Sequence, residues 1–131
     1  MIKNYFFLSA GILSLLFAFT HGYYGQLTTL SVTNAAPIDN STKNAIFYTW
    51  HMATAENLVF FIFLSFKTDL SKMKFAVYLI ILVLTSRYMV FLGSVIFKDP
   101  SQIYNALSEL LVLGVFISLM IFGLRSRSLT T

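Results

Sequence analysis

The sequence predicts an all-α, polytopic membrane protein: one domain, residues 1–131, folded as an antiparallel bundle of four transmembrane helices with both termini cytoplasmic. Three observations carry that prediction. Of the 131 residues, 57% are hydrophobic and only 11% are charged, roughly half the charged fraction of an ordinary soluble domain. One small core cannot hide so much apolar surface, whereas lipid can. Four apolar stretches each approach the ~20 residues needed to cross the hydrocarbon layer. Lysine and arginine, finally, are unevenly shared between the two sets of helix ends.

The first helix is expected over residues 5–24. Residues 1–20 also fit a signal peptide, with Lys3, an apolar run and small Ala18 and Thr20. The apolar stretch is long enough to span, so it is read as a helix. Gly11, Ser14, Ala18, Gly22 and Gly25 keep small side chains near one side of it, a spacing that favours close helix packing. The connection over residues 25–44 is long for a plain link. Its Leu27, Leu30, Val32 and Ile38 are expected on the outer interface or as a cap on the bundle.

The second helix is expected over residues 45–66, with Asn40, Ser41 and Thr42 as N-cap candidates. The same three residues match a glycosylation sequon, which is read as a chance occurrence. A third helix is expected over residues 75–97, with Ser71 as its cap. The fourth covers residues 100–124, opened by Asp99-Pro100-Ser101-Gln102 as a capping acid, a proline at N1 and a glutamine at N3. Gly123, Arg125 and Arg127 mark its end.

Orientation follows from the basic residues. Lys3, Lys67, Lys72, Lys74, Arg125 and Arg127 lie on one side, and Lys43 and Lys98 on the other. Basic loops stay in the cytoplasm, which places both termini there. Tyr23, Tyr24, Tyr48 and Trp50 then form an outer aromatic belt. Because the basic residues sit at helix ends rather than in a patch, the net charge of +4 does not indicate a nucleic-acid partner. The expected partners are the lipid bilayer and either a second copy of the chain or another membrane subunit. With no cysteine, disulfides and thiolate metal sites are excluded.

Ionisable residues inside a span are costly and point to a partner or a task. Glu56, Arg87 and Glu109 are such residues, at depths of roughly 16, 15 and 13 Å from the outer helix ends by helical rise. Arg87 is expected to pair with one glutamate. The surplus acid is then protonated, or satisfied by water or a cation. Gln102 and Asn105 share a face with Glu109 and form a stripe leading inward from the outer surface. These five residues are the expected ligand-binding or proton site; a structural ion-pair staple and an oligomer contact are the competing readings.

His21 and His51 form a second feature in the outer half. Two imidazoles on facing helices can ligate haem iron or help to hold a metal ion. Glu56 lies about 140° around the helix from His51, so those two do not chelate together. No nucleophile or phosphate-loop motif is present, and the chain is not expected to be an enzyme. The expected function is a ligand-binding or transport-type bundle. An electron-transfer protein using His21 and His51, and a structural subunit of a larger complex, are the alternatives.

His21-Gly22-Tyr23-Tyr24-Gly25 and Thr49-Trp50-His51-Met52-Ala53-Thr54 resemble segments of a group of small, uncharacterised four-helix bacterial membrane proteins. Those proteins end their first span in histidine and open the second with Trp-His. The chain departs from the group at Gln26, where a charged residue is expected. The resemblance implies the same topology and a multi-pass location in the bacterial inner membrane. It brings no function with it.

Overall fold

A computed structural model describes residues 4–66 and 70–126, with side chains for all of these but 70–73. Lys3, Lys67 and Arg127, and the side chains of Ser71 and Lys72, therefore lie outside the described residues. The fold is all-helical. Helix α1 runs Tyr5–Ala35, α2 Asn40–Phe66, α3 Leu70–Lys98 and α4 Ile103–Arg125, the last preceded by a 3-10 turn at Pro100–Gln102. Among the described residues three helices are long and apolar enough to cross a membrane: Tyr5–Ala35, Lys74–Lys98 and Pro100–Arg125. Helix α2 has the length, at 27 residues, but Asn44, Thr49, His51, Thr54, Glu56 and Asn57 dilute its apolar run.

The largest departure from expectation is in α1. No loop fills residues 25–44, because the helix continues to Ala35 and the link is only residues 36–39. Hydropathy falls after Tyr24, but nothing there breaks a helix. The first breaker is Pro37, which forces the residue before it out of the helical region. Ala36 is accordingly extended, at φ −67° and ψ 145°. Along the polar extension the hydroxyls of Thr28, Ser31 and Thr33 donate to the carbonyls four residues back, at 2.8–2.9 Å. Leu30 is buried at 1% exposure, while Leu27, Val32 and Ile38 are exposed.

Two turns of α1, Thr20–Tyr24 and Gln26–Leu30, are π-helical. Such wide turns are rare and concentrate at functional sites.

The start of α2 also differs. Asp39, not Asn40, Ser41 or Thr42, is the cap: its carboxylate accepts the backbone N–H of Thr42 at 2.9 Å and the Thr42 hydroxyl. These bonds, the hydroxyl's first, hold the Asp39 carboxyl below the usual range. Lys43 reaches back to donate to the Asn34 carbonyl at 2.7 Å, closing the end of α1. At the other turn Asp99 makes no cap to a free backbone amide. Its carboxylate instead receives the Ser101 hydroxyl.

The chain forms two compact units, residues 10–66 and residues 4–9 with 70–126. In the first, α1 and α2 are antiparallel. A Cβ at Gly11 would stand 2.3 Å from the Ser65 hydroxyl, and one at Gly25 would stand 2.1 Å from the Trp50 indole nitrogen. The small-residue stripe is thus the packing face of α1, with Gly11, Ser14, Ala18 and Gly25 all buried.

In the second unit α3 packs on α4, with Val77, Ile80 and Val95 of α3 and Ala106, Phe116 and Met120 of α4 buried. Asn4 ties the start of α1 to the end of α4. Its carbonyl oxygen accepts from the backbone N–H of Phe6 and Phe7, and its amide donates to the Gly123 carbonyl at 2.7 Å and to Ser126 at 2.8 Å. The Phe7 ring covers Gly123, where a Cβ would lie 2.5 Å from it.

Candidate functional site

Ala106, Glu109, Leu113, Phe116, Met120 and Gly123 of α4 step by three and four residues, and Gln102 of the preceding 3-10 turn stands four residues before Ala106. From Phe116 to Gly123 this seam is buried, apart from the half-covered positions between its steps. At its N-terminal end the cover is lost. Ala106 is fully buried, yet Gln102 and Glu109, on the same seam, are exposed. Glu109 thus continues the buried seam by spacing but is itself uncovered.

Asn105 flanks this opening and donates through its amide to Gln102 Oε1. The Ser108 hydroxyl donates to the Asn105 carbonyl at 2.8 Å. Gln102 and Asn105 are therefore brought together as the sequence implied. Among the described residues the Glu109 carboxylate takes no hydrogen bond or ion pair. Sequence reasoning missed Tyr88, whose hydroxyl donates to the Ala106 carbonyl at 3.1 Å, one turn before Glu109. Arg87 is exposed on α3, and Glu56 is half-buried on α2 in the other unit.

The histidines lie in the first unit. His21 falls in the first π-helical turn, and its ring stacks on Trp50 with centroids 4.2 Å apart and planes 7° from parallel. The Trp50 indole donates to the His21 backbone carbonyl at 2.7 Å. Gly25 makes this approach possible, and Gly22 does the same beside Thr54, whose methyl would lie 3.0 Å from a Cβ there. His51 packs edge-on against Phe47, at 4.3 Å. Each imidazole thus has its own aromatic partner. Among the described residues no three histidine, aspartate or glutamate side chains are grouped to hold a metal ion.

The polar centre of this unit is a pair the sequence did not single out. The Ser14 hydroxyl, at 0% exposure, donates to the Asn57 backbone carbonyl at 2.9 Å. Asn57, at 7% exposure, donates through its amide to the Ala53 carbonyl at 2.9 Å. The signal was available: Ala53, Asn57, Phe60 and Leu64 step by four and three, and all four are buried. That spacing puts Asn57, not its neighbour Glu56, on the buried seam. No protein family, curated protein or solved structure matches this chain.

Proposed function

We propose that the chain is a four-span integral membrane protein, both termini cytoplasmic, that binds or passes a small ligand at Glu109, Asn105 and Gln102 on α4. The observation that carries this reading is the uncovered end of the α4 seam, where an exposed carboxylate continues the line of the buried positions without a partner among the described residues. Ionisable side chains at such depth are retained for a task or a partner. The exposed Phe75, Val90, Phe97 and Leu111 of α3 and α4 suit lipid as the surrounding medium.

The Asn4 to Gly123 bond supports the fourth crossing. It sets the start of α1 beside the end of α4, which requires an even number of passages. If α1, α3 and α4 cross, α2 crosses with them. Its buried Asn57 is tolerable because it accepts from Ser14 and donates to the Ala53 carbonyl inside the unit. The excess of lysine and arginine at the termini and the link between α2 and α3 supports the cytoplasmic assignment.

Two experiments test the reading. Since the chain lacks cysteine, single cysteines report topology cleanly. A membrane-impermeant thiol reagent added to intact cells is expected to label Asn40→Cys and to miss Leu70→Cys; labelling of the latter would refute the orientation. Glu109→Gln is expected to leave the melting temperature in detergent almost unchanged, because no partner among the described residues loses a bond. A loss of about 3 kcal/mol or more, the cost of breaking a buried ion pair, would make Glu109 a structural staple instead.

A further inference from the structure

We propose that the end of α1, residues 26–35, is a register switch. It seats on the first unit either with Leu30 inward, as observed, or one residue earlier with Thr29 inward, and Lys43 holds it in the first setting. The switch lies on a different helix from Glu109 and does not depend on it.

The spacing of the covered positions is its first sign. Gly25 and Leu30 are both buried, five residues apart, whereas Thr29 is exposed. In an uninterrupted α-helix Leu30 would stand about 140° around from Gly25, and Thr29 only about 40°. The π-helical turn Gln26–Leu30 removes the discrepancy. It takes up one extra residue, so Leu30 arrives where Thr29 would otherwise lie. The offset persists beyond the turn. Thr33 and Ala36 are half-covered and Val32 is 71% exposed, although α-helical spacing from Gly25 puts Val32 on the covered side. Leu30 hides more apolar surface than Thr29 would, which favours the observed setting.

Two further features bring the other setting within reach. Rewinding the wide turn moves backbone N–H groups from carbonyls five residues back to carbonyls four residues back. A carbonyl left without a donor is a main cost of such a shift. Here side-chain hydroxyls already serve the carbonyls concerned. Thr28 donates to Tyr24, Ser31 to Leu27 and Thr28, and Thr33 to Thr29, all at 2.8–2.9 Å. The second feature is the tie on the end of α1. The Lys43 ammonium donates to the Asn34 carbonyl at 2.7 Å, while the Asp39 carboxylate is engaged with Thr42. Loss of the extra residue would turn Asn34 by about 100°, so the Lys43 bond belongs to one setting only.

The test uses the full-length chain in detergent. With no native cysteine, single cysteines report which side of α1 is covered. Maleimide labelling is expected to be severalfold faster at Val32→Cys than at Thr33→Cys. Adding Thr29→Leu together with Leu30→Thr, which exchanges the two side chains, should reverse that order. Lys43→Met alone should bring the two rates together with little change in melting temperature, because both settings are then populated. An unchanged order in the folded exchange variant would overturn the switch, since the wide turn would then not depend on Leu30. Labelling of both positions at the rate found in dodecyl sulfate would show unwinding rather than rotation, and would also overturn it. If the exchange variant does not fold, Lys43→Met decides alone, and an unchanged ratio of rates overturns the proposal.

Discussion

Gly25→Leu is expected to be among the most damaging single substitutions in the chain. A Cβ at this position would lie 2.1–2.5 Å from three atoms of the Trp50 ring. The ring cannot step aside freely, because it is stacked on His21 and its N–H is bonded to the His21 carbonyl. The cost should sit at or above the upper end of the ~1–3 kcal/mol typical of overpacking. Trp50 is the only tryptophan, so its fluorescence reports the event directly. The expected result is a lower melting temperature with a red-shifted emission in the still-folded fraction. A stable variant with unchanged emission would mean that α1 and α2 do not meet at this point.

Asn57→Asp is the second large effect. The substitution removes the donor to the Ala53 carbonyl and puts a carboxyl where only 7% of the residue is exposed. Ionised and without a donor, a buried carboxylate costs about 3 kcal/mol or more. Asn57→Ser, which deletes the amide bond without adding charge, should cost nearer ~1 kcal/mol. Melting curves of the two variants in detergent, recorded above neutral pH, give the comparison. Equal losses would show that water reaches Asn57, and the buried pair with Ser14 would be discarded as the polar centre of the first unit.

The sequence made much of this legible, and its failures share a cause. The small-residue stripe of α1 was readable because Gly11, Ser14, Ala18 and Gly25 recur at helical spacing, and spacing is what packing selects. The true end of α1 was not, because hydropathy marks where lipid stops and not where a helix stops. Pro37 was the better marker, and Thr28, Ser31 and Thr33 carry the helix through the polar stretch. For the same reason the cap of α2 moved back to Asp39, next to the real turn.

The candidate site was half legible. Gln102, Asn105 and Glu109 share a face by simple counting, and the structure joins the first two. Counting charged residues drew attention to Glu56, which is half-buried, and left its fully buried neighbour Asn57 unremarked. Tyr88 was invisible for another reason. Nothing in a tyrosine's sequence position says that its hydroxyl will find a carbonyl on the next helix, because that contact depends on the tilt of α3 against α4.

Asn4 has a consequence in time as well as in space. Its amide bonds the Gly123 carbonyl across 119 residues of chain, so during synthesis the start of α1 waits on the last turn of α4. Until α4 is made and inserted, the amide has no acceptor there and the Phe7 ring has no glycine to cover. Contacts of such long separation form late, after the local helix pairs. A nascent chain halted before Gly123 leaves the Asn4 amide without this acceptor and the Phe7 ring without the surface it covers. The last turn of α4 thus acts as a latch that holds the start of α1 in the second unit.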